Sequence, residues 1–115
     1  MAYFFGGIYM SWFFLITAGI FECVWSTTMK MSEGFSKMEY AVATVIGMII
    51  SFAALIKATE TLPISIAYPI WTGIGAVGAV LVGVFLFKDK INPITWVFVV
   101  LLIISIIGIK FTSGE

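Results

Sequence analysis

The chain has no histidine, a single cysteine and charged side chains at only 10% of its 115 residues, and each shortage closes a class of function. Without histidine, the commonest metal ligand and the usual acid–base group near neutral pH are both missing. Cys23 on its own makes no intrachain disulfide and excludes a metal site built on several thiolates. No enzyme, metal or cofactor is therefore expected. The formal net charge is zero and the six basic residues are scattered, which leaves no footprint for nucleic acid. So few charges cannot coat a soluble globule either. What is present instead is apolar: 62% of the residues are hydrophobic, and the chain belongs in a lipid bilayer.

A helix that crosses a bilayer needs about 20 predominantly apolar residues. Four such runs lie near 11–29, 40–56, 64–87 and 91–109. Three short breaks separate them. Lys30–Glu39 is polar and holds Gly34; Lys57–Pro63 ends on a proline that suits the first turn of the next helix; Lys88-Asp89-Lys90 leads into Asn92-Pro93. The first run lacks a basic leader, so the first helix is expected to stay in the mature protein. Loops this short make residues 1–115 one all-α, four-helix transmembrane domain, with 1–9 as a possible N-terminal extension and Met10 as the alternative start.

If the helices alternate, Lys57 and Lys110 fall on the side of the termini and Lys30, Lys37, Lys88 and Lys90 on the other. That bias is weak under the positive-inside rule, so insertion in both directions and pairing of oppositely inserted copies are expected. Four helices pack their own interior with side chains, and a dimer is the natural way to enclose a polar path. Gly73, Gly75, Gly78 and Gly83 favour close helix approach or bending in the third run. Ser105 and Gly108 favour dimer packing in the fourth.

Glu22 is the sole charge between Met10 and Met29. An ionised side chain at the bilayer centre costs roughly 2.5–3.5 kcal/mol on insertion scales, and one that is kept points to ions, protons or charged substrates. At 3.6 residues per turn Ala18, Glu22, Ser26 and Met29 form a stripe flanked by Gly19 and Trp25. Tyr68, Trp71, Thr72 and Gly75 form a second face, and Ser51 stands mid-helix one turn after Gly47. Where these faces converge, a cation meets a carboxylate, aromatic rings and hydroxyls. Plainer roles exist for each. Glu22 as a protonated structural partner, Trp25 and Trp71 as packing, Tyr68 as an interfacial anchor and Ser51 bonded to its own helix carbonyl all remain open.

Gly19-Ile-Phe-Glu22-Cys-Val-Trp25-Ser, Ser51-Phe, Leu62-Pro-Ile-Ser-Ile-Ala-Tyr68-Pro-Ile-Trp71-Thr-Gly-Ile-Gly75-Ala-Val-Gly78-Ala and Phe87-Lys-Asp resemble the small multidrug resistance family of four-helix bacterial exporters. The details look more like its guanidinium-exporting branch than its drug-exporting one. The resemblance implies an inner-membrane, multi-pass protein that forms an antiparallel, dual-topology homodimer. Both copies of Glu22 would share one site, lined or supported by Trp25, Ser51, Tyr68 and Trp71, with Ser51 and Trp25 holding the carboxylates. Thr27-Thr28-Met29-Lys30, Ser65-Ile66 and Pro69 depart from the branch pattern, and Pro69 bears on the geometry of Tyr68 and Trp71.

The expected function is proton-coupled antiport exporting guanidinium or small substituted guanidinium cations, with Gly19, Ser26, Thr72, Gly73 and Gly75 in supporting or hinge roles. A hinge at Gly73-Ile74-Gly75 predicts that Gly75→Ala slows exchange while leaving affinity nearly intact. The alternatives are export of hydrophobic quaternary ammonium cations, a non-transporting small membrane subunit, or half of a heterodimeric exporter.

Overall fold

The computed structural model describes residues 2–114, with side chains from Tyr9 to Gly114; the N-terminal extension expected at residues 1–9 falls almost wholly outside the described side chains. The described residues form four helices: α1 Ala2–Met31, α2 Met38–Thr59, α3 Ile64–Phe85 and α4 Pro93–Thr112. Each has a stretch long and apolar enough to cross a membrane. The helix ends differ by a few residues from the limits of the apolar runs. Backbone hydrogen bonding continues into polar turns, whereas hydropathy marks only the part suited to lipid.

Local chemistry sets these ends. At the close of α1, buried Ser32 accepts from the Phe35 backbone N–H at 3.0 Å and its carbonyl accepts from Lys37 N–H at 3.0 Å, which turns the chain back. Gly34 sits at φ +75° within that turn, a left-handed conformation that costs glycine nothing. Pro63 stands one residue before α3, as its cap, with φ −60°. Asn92 caps α4: its Oδ1 accepts from Ile94 N–H at 2.8 Å, and Pro93 takes the first helical position, where its missing N–H leaves nothing unpaired. α3 runs as one helix through Pro69, and the Thr72 hydroxyl there bonds the carbonyls of Tyr68 and Pro69 at 2.9 and 3.2 Å.

Helices in lipid gain little from burying apolar surface against one another, so close packing and interhelical hydrogen bonds hold them together. α1 is joined by hydroxyls at three levels to α2 and the turn that follows it. Ser51 Oγ donates to the Ala18 carbonyl at 2.7 Å and the hydroxyls of Thr28 and Thr44 are 2.7 Å apart, while Ser11 of α1 pairs with Thr61 just beyond the end of α2. α3 meets α1 through small residues. α4 packs on α3, with Ile106 against Gly73, and reaches α1 where Lys110 Nζ lies 4.4 Å from the centre of the Trp12 ring.

The core is Trp12, Leu15, Ala18, Ala54, Ala58, Leu62, Ala67, Ile70 and Trp71. These residues belong to the half of the bundle nearest the α2–α3 connection. Beyond Ala18 in α1 and Trp71 in α3 only glycines, Gly19, Gly73 and Gly75, stay buried, and the side chains become half-buried or exposed. The protomer is a slab of 47 × 36 × 17 Å.

Candidate functional site

Glu22 lies where the core ends. A Cβ placed on Gly75 of α3 would sit 2.5 Å from Glu22 Cδ and 2.8 Å from both Cγ and Oε1. Carbon atoms rest at about 3.5–4.0 Å, so α3 passes the carboxyl group only because Gly75 has no side chain. The same device recurs along α1. A Cβ on Gly78 would stand 2.7 Å from Cys23 Sγ, one on Gly19 would meet Ile74, and one on Gly47 of α2 would stand 3.0 Å from Trp25 Cβ. Gly73, two residues from Gly75, points the other way and meets Ile106 of α4.

Glu22 Oε2 and Trp25 Nε1 are both buried, and neither has a hydrogen-bond partner among the described residues. One is an acceptor, the other a donor that cannot accept. They stand three residues apart on one helix face. Buried polar atoms are seldom left unpaired; among the described residues Trp12 Nε1, in the core, is the third such atom.

A row of aromatic rings starts at Trp25. Trp25 and Phe52 have ring centres 6.4 Å apart, Phe52 and Trp71 5.7 Å, and Trp71 and Tyr68 5.4 Å, the last two pairs edge to face. Trp71 is 7% exposed and Tyr68 52%, so the row passes through the core and comes out at the surface of the protomer. Phe52 was not among the residues singled out for the site from sequence. Its adjacency to Ser51 was the available signal, but a phenylalanine in an apolar helix has no polar group to distinguish it.

Ser51 is fully buried and links all three helices. Its hydroxyl donates to the Ala18 carbonyl of α1 and accepts from Trp71 Nε1 of α3 at 3.1 Å. It therefore bonds across the bundle rather than to its own helix, and within the protomer its proton goes to Ala18 rather than to Glu22. The remaining hydroxyls turn inward on their own helices: Ser26 Oγ donates to the Cys23 carbonyl at 3.0 Å, and Thr72 to Tyr68 and Pro69 as above. The structure thus brings Glu22, Trp25, Gly75, Ser51, Trp71 and Tyr68 into one neighbourhood, with Gly19 one turn from the carboxylate. Thr72 and Gly73 lie beside it. Ser105 and Gly108 lie elsewhere, on the outer face of α4, where Ser105 is exposed and a Cβ on Gly108 would meet nothing within 4 Å.

The family model for the small multidrug resistance protein matches residues 10–102. The guanidinium exporter of Escherichia coli (strain K12) is 42% identical over 104 residues, which cover 90% of this chain and 99% of that protein. Guanidinium exporters of Salmonella typhimurium (strain LT2) and Citrobacter freundii are 41% and 39% identical over the same shares. Matches of this extent, over a chain with four membrane-spanning helices, place it in the small multidrug resistance family as a multi-pass membrane protein.

Proposed function

We propose that this chain exports guanidinium or small substituted guanidinium cations in exchange for protons, in the inner membrane, with residues 1–115 acting as one four-helix unit. The working form is a homodimer of two oppositely inserted copies. The unpartnered pair of Glu22 Oε2 and Trp25 Nε1 carries this reading. A planar guanidinium presents a fork of N–H donors that a carboxylate accepts bidentately, a match no spherical ammonium makes. It answers the acceptor. The Trp25 donor needs an acceptor in turn, and a second copy's carboxylate supplies one. The names of the relatives and their identity of 39–42% support the same substrate.

Tyr68 and Trp71 add attraction for a cation of roughly 0.5–2 kcal/mol where the rings meet it. Ser51 sets the position of Trp71 and of the α1 backbone one turn before Glu22. A protonated Glu22 no longer offers two anionic oxygens, so proton and cation exclude each other from the seat, and a dimer that opens to alternate sides exchanges one for the other. An antiparallel pair resembles the inverted repeats of larger transporters, whose two open states are related by exchange of roles.

The test is uptake of guanidinium into proteoliposomes under a proton gradient, with a bulky lipophilic quaternary ammonium for comparison. Wild-type protein concentrates guanidinium in preference. Glu22→Gln abolishes gradient-driven uptake while still assembling as the wild type does. Normal uptake by the Gln variant would refute the mechanism.

A further inference from the structure

From Glu22, α1 and α3 continue side by side toward the end of the bundle that carries Lys30. Ser26 and Lys30 follow Glu22 at successive turns of α1, while Ala79 and Gly83 follow Gly75 at successive turns of α3. Hydroxyl and lysine thus face small residues, and the helices part. The space between them is a cleft of about 170 Å³ lined by Ser26, Thr27, Lys30, Ala79, Gly83 and Asp89 among others. It begins one helical turn from the carboxylate and ends at the α3–α4 loop.

Asp89 is held into this cleft. Its backbone N–H donates to the Gly83 carbonyl at 2.8 Å, which folds the loop back on α3. A Cβ on Gly83 would stand 2.7 Å from Asp89 Oδ2, so the carboxylate occupies room that only glycine leaves. Gly83 is to Asp89 what Gly75 is to Glu22. Around it the charge is of the wrong sign for a departing cation: Lys30 lines the cleft, its ammonium 5.7 Å from the Phe87 ring centre, and Lys88 and Lys90 flank Asp89 in sequence. A cation moving between Glu22 and water on this path needs one anionic stop among those lysines. Asp89 is the carboxylate that lines the cleft.

We propose that Asp89 is a second, outer seat for the cation, a specificity-determining residue at the mouth of the path that takes guanidinium-like ions from water and hands them past Ser26 to Glu22. This rests on the reading of Glu22 given above. A carboxylate among lysines offsets their repulsion of an arriving cation and so speeds its entry, and salt, which screens the lysines, lessens the need for it.

The experiment measures initial rates of guanidinium exchange in proteoliposomes against concentration, at low and high ionic strength, for wild type, Asp89→Asn and Gly83→Ala. The first variant removes the charge; the second keeps it and displaces it. Both are expected to raise the half-saturating concentration by about tenfold at low salt while maximal rate stays within about twofold, the pattern of lost binding rather than lost turnover. Asp89→Asn leaves Lys30, Lys88 and Lys90 uncompensated, so its half-saturating concentration is further expected to fall as salt screens that repulsion, more steeply than in wild type, and Asp89→Glu to restore the wild-type response. Half-saturation within twofold of wild type in both variants would overturn the outer seat and leave Glu22 untouched. A fall in maximal rate at unchanged half-saturation, with the salt response of wild type, would overturn it as well, since a packing defect gives that pattern. Wild-type protein that exchanges no guanidinium, or Glu22→Gln that exchanges it normally, would overturn both readings together.

Discussion

Gly75→Ala separates two accounts of the same glycine. If Gly75 serves only as a hinge, the methyl group slows exchange and leaves binding alone. The contact geometry says otherwise. The added Cβ would lie 2.5 Å from Glu22 Cδ, and reaching an ordinary separation of about 3.5 Å requires the carboxyl group to retreat by about 1 Å. A misplacement of about 1 Å in a positioned group costs up to 10²-fold in function. Overpacking of a tight contact costs about 1–3 kcal/mol, and about 1.4 kcal/mol is a factor of ten in affinity. Guanidinium affinity is therefore expected to fall by about 10- to 100-fold. Titration of the purified protein by calorimetry or tryptophan fluorescence reads this directly, beside exchange rates in liposomes. Gly78→Ala is the control: its methyl group crowds Cys23, with Sγ at 2.7 Å, instead of the carboxylate, and affinity is expected to stay within a few-fold of wild type. Unchanged affinity in Gly75→Ala with slowed exchange would refute the contact argument and restore the hinge.

Two further outcomes follow from packing. Ser51→Ala removes a hydroxyl that is fully buried and bonded to both Ala18 and Trp71, leaving the Trp71 indole N–H unpaired; a buried donor without a partner costs about 1–3 kcal/mol, so resistance to unfolding in SDS falls and Trp71 emission shifts, and an unaltered unfolding midpoint would count against the three-helix link. Gly108→Leu places a large side chain where a Cβ meets nothing within 4 Å of its own protomer; the fold is expected to be unaffected, while self-association, followed by energy transfer on dilution in liposomes, weakens by at least about 1 kcal/mol, the lower range for overpacking. Equal association in wild type and variant would take Gly108 out of the dimer contact.

How much of the site was legible can be seen residue by residue. Glu22 stood out because a lone carboxyl in an apolar run is costly enough to need a reason, whereas Trp25 and Ser51 were marked by the family resemblance, since alone each had a plain reading as packing or as a hydroxyl bonded to its own helix. The partners of those groups were not. Ser51 bonds Ala18, 33 positions away, and Trp71, 20 positions away, and nothing in a 3.6-residue period says which neighbouring helix a hydroxyl will meet. Phe52 joined the aromatic row for the same reason, being one more apolar residue until the rings around it are placed. Gly75 was marked as small; that its missing side chain makes room for the carboxylate of Glu22 depended on the rotation of α3 against α1.

The amino-acid order alone determined that the chain lives in lipid, that it crosses four times, where the turns fall and which single acid is out of place, because these follow from hydropathy, length and the energy of a buried charge, all of which act along one helix at a time. The tertiary structure decided that the core fills only one half of the slab, that Glu22 stands at its edge against Gly75, and that α1 and α3 open from there to Asp89. Those are questions of how far one helix is turned and tilted against another, and they are settled by the shapes that meet between helices rather than by any property of a single run.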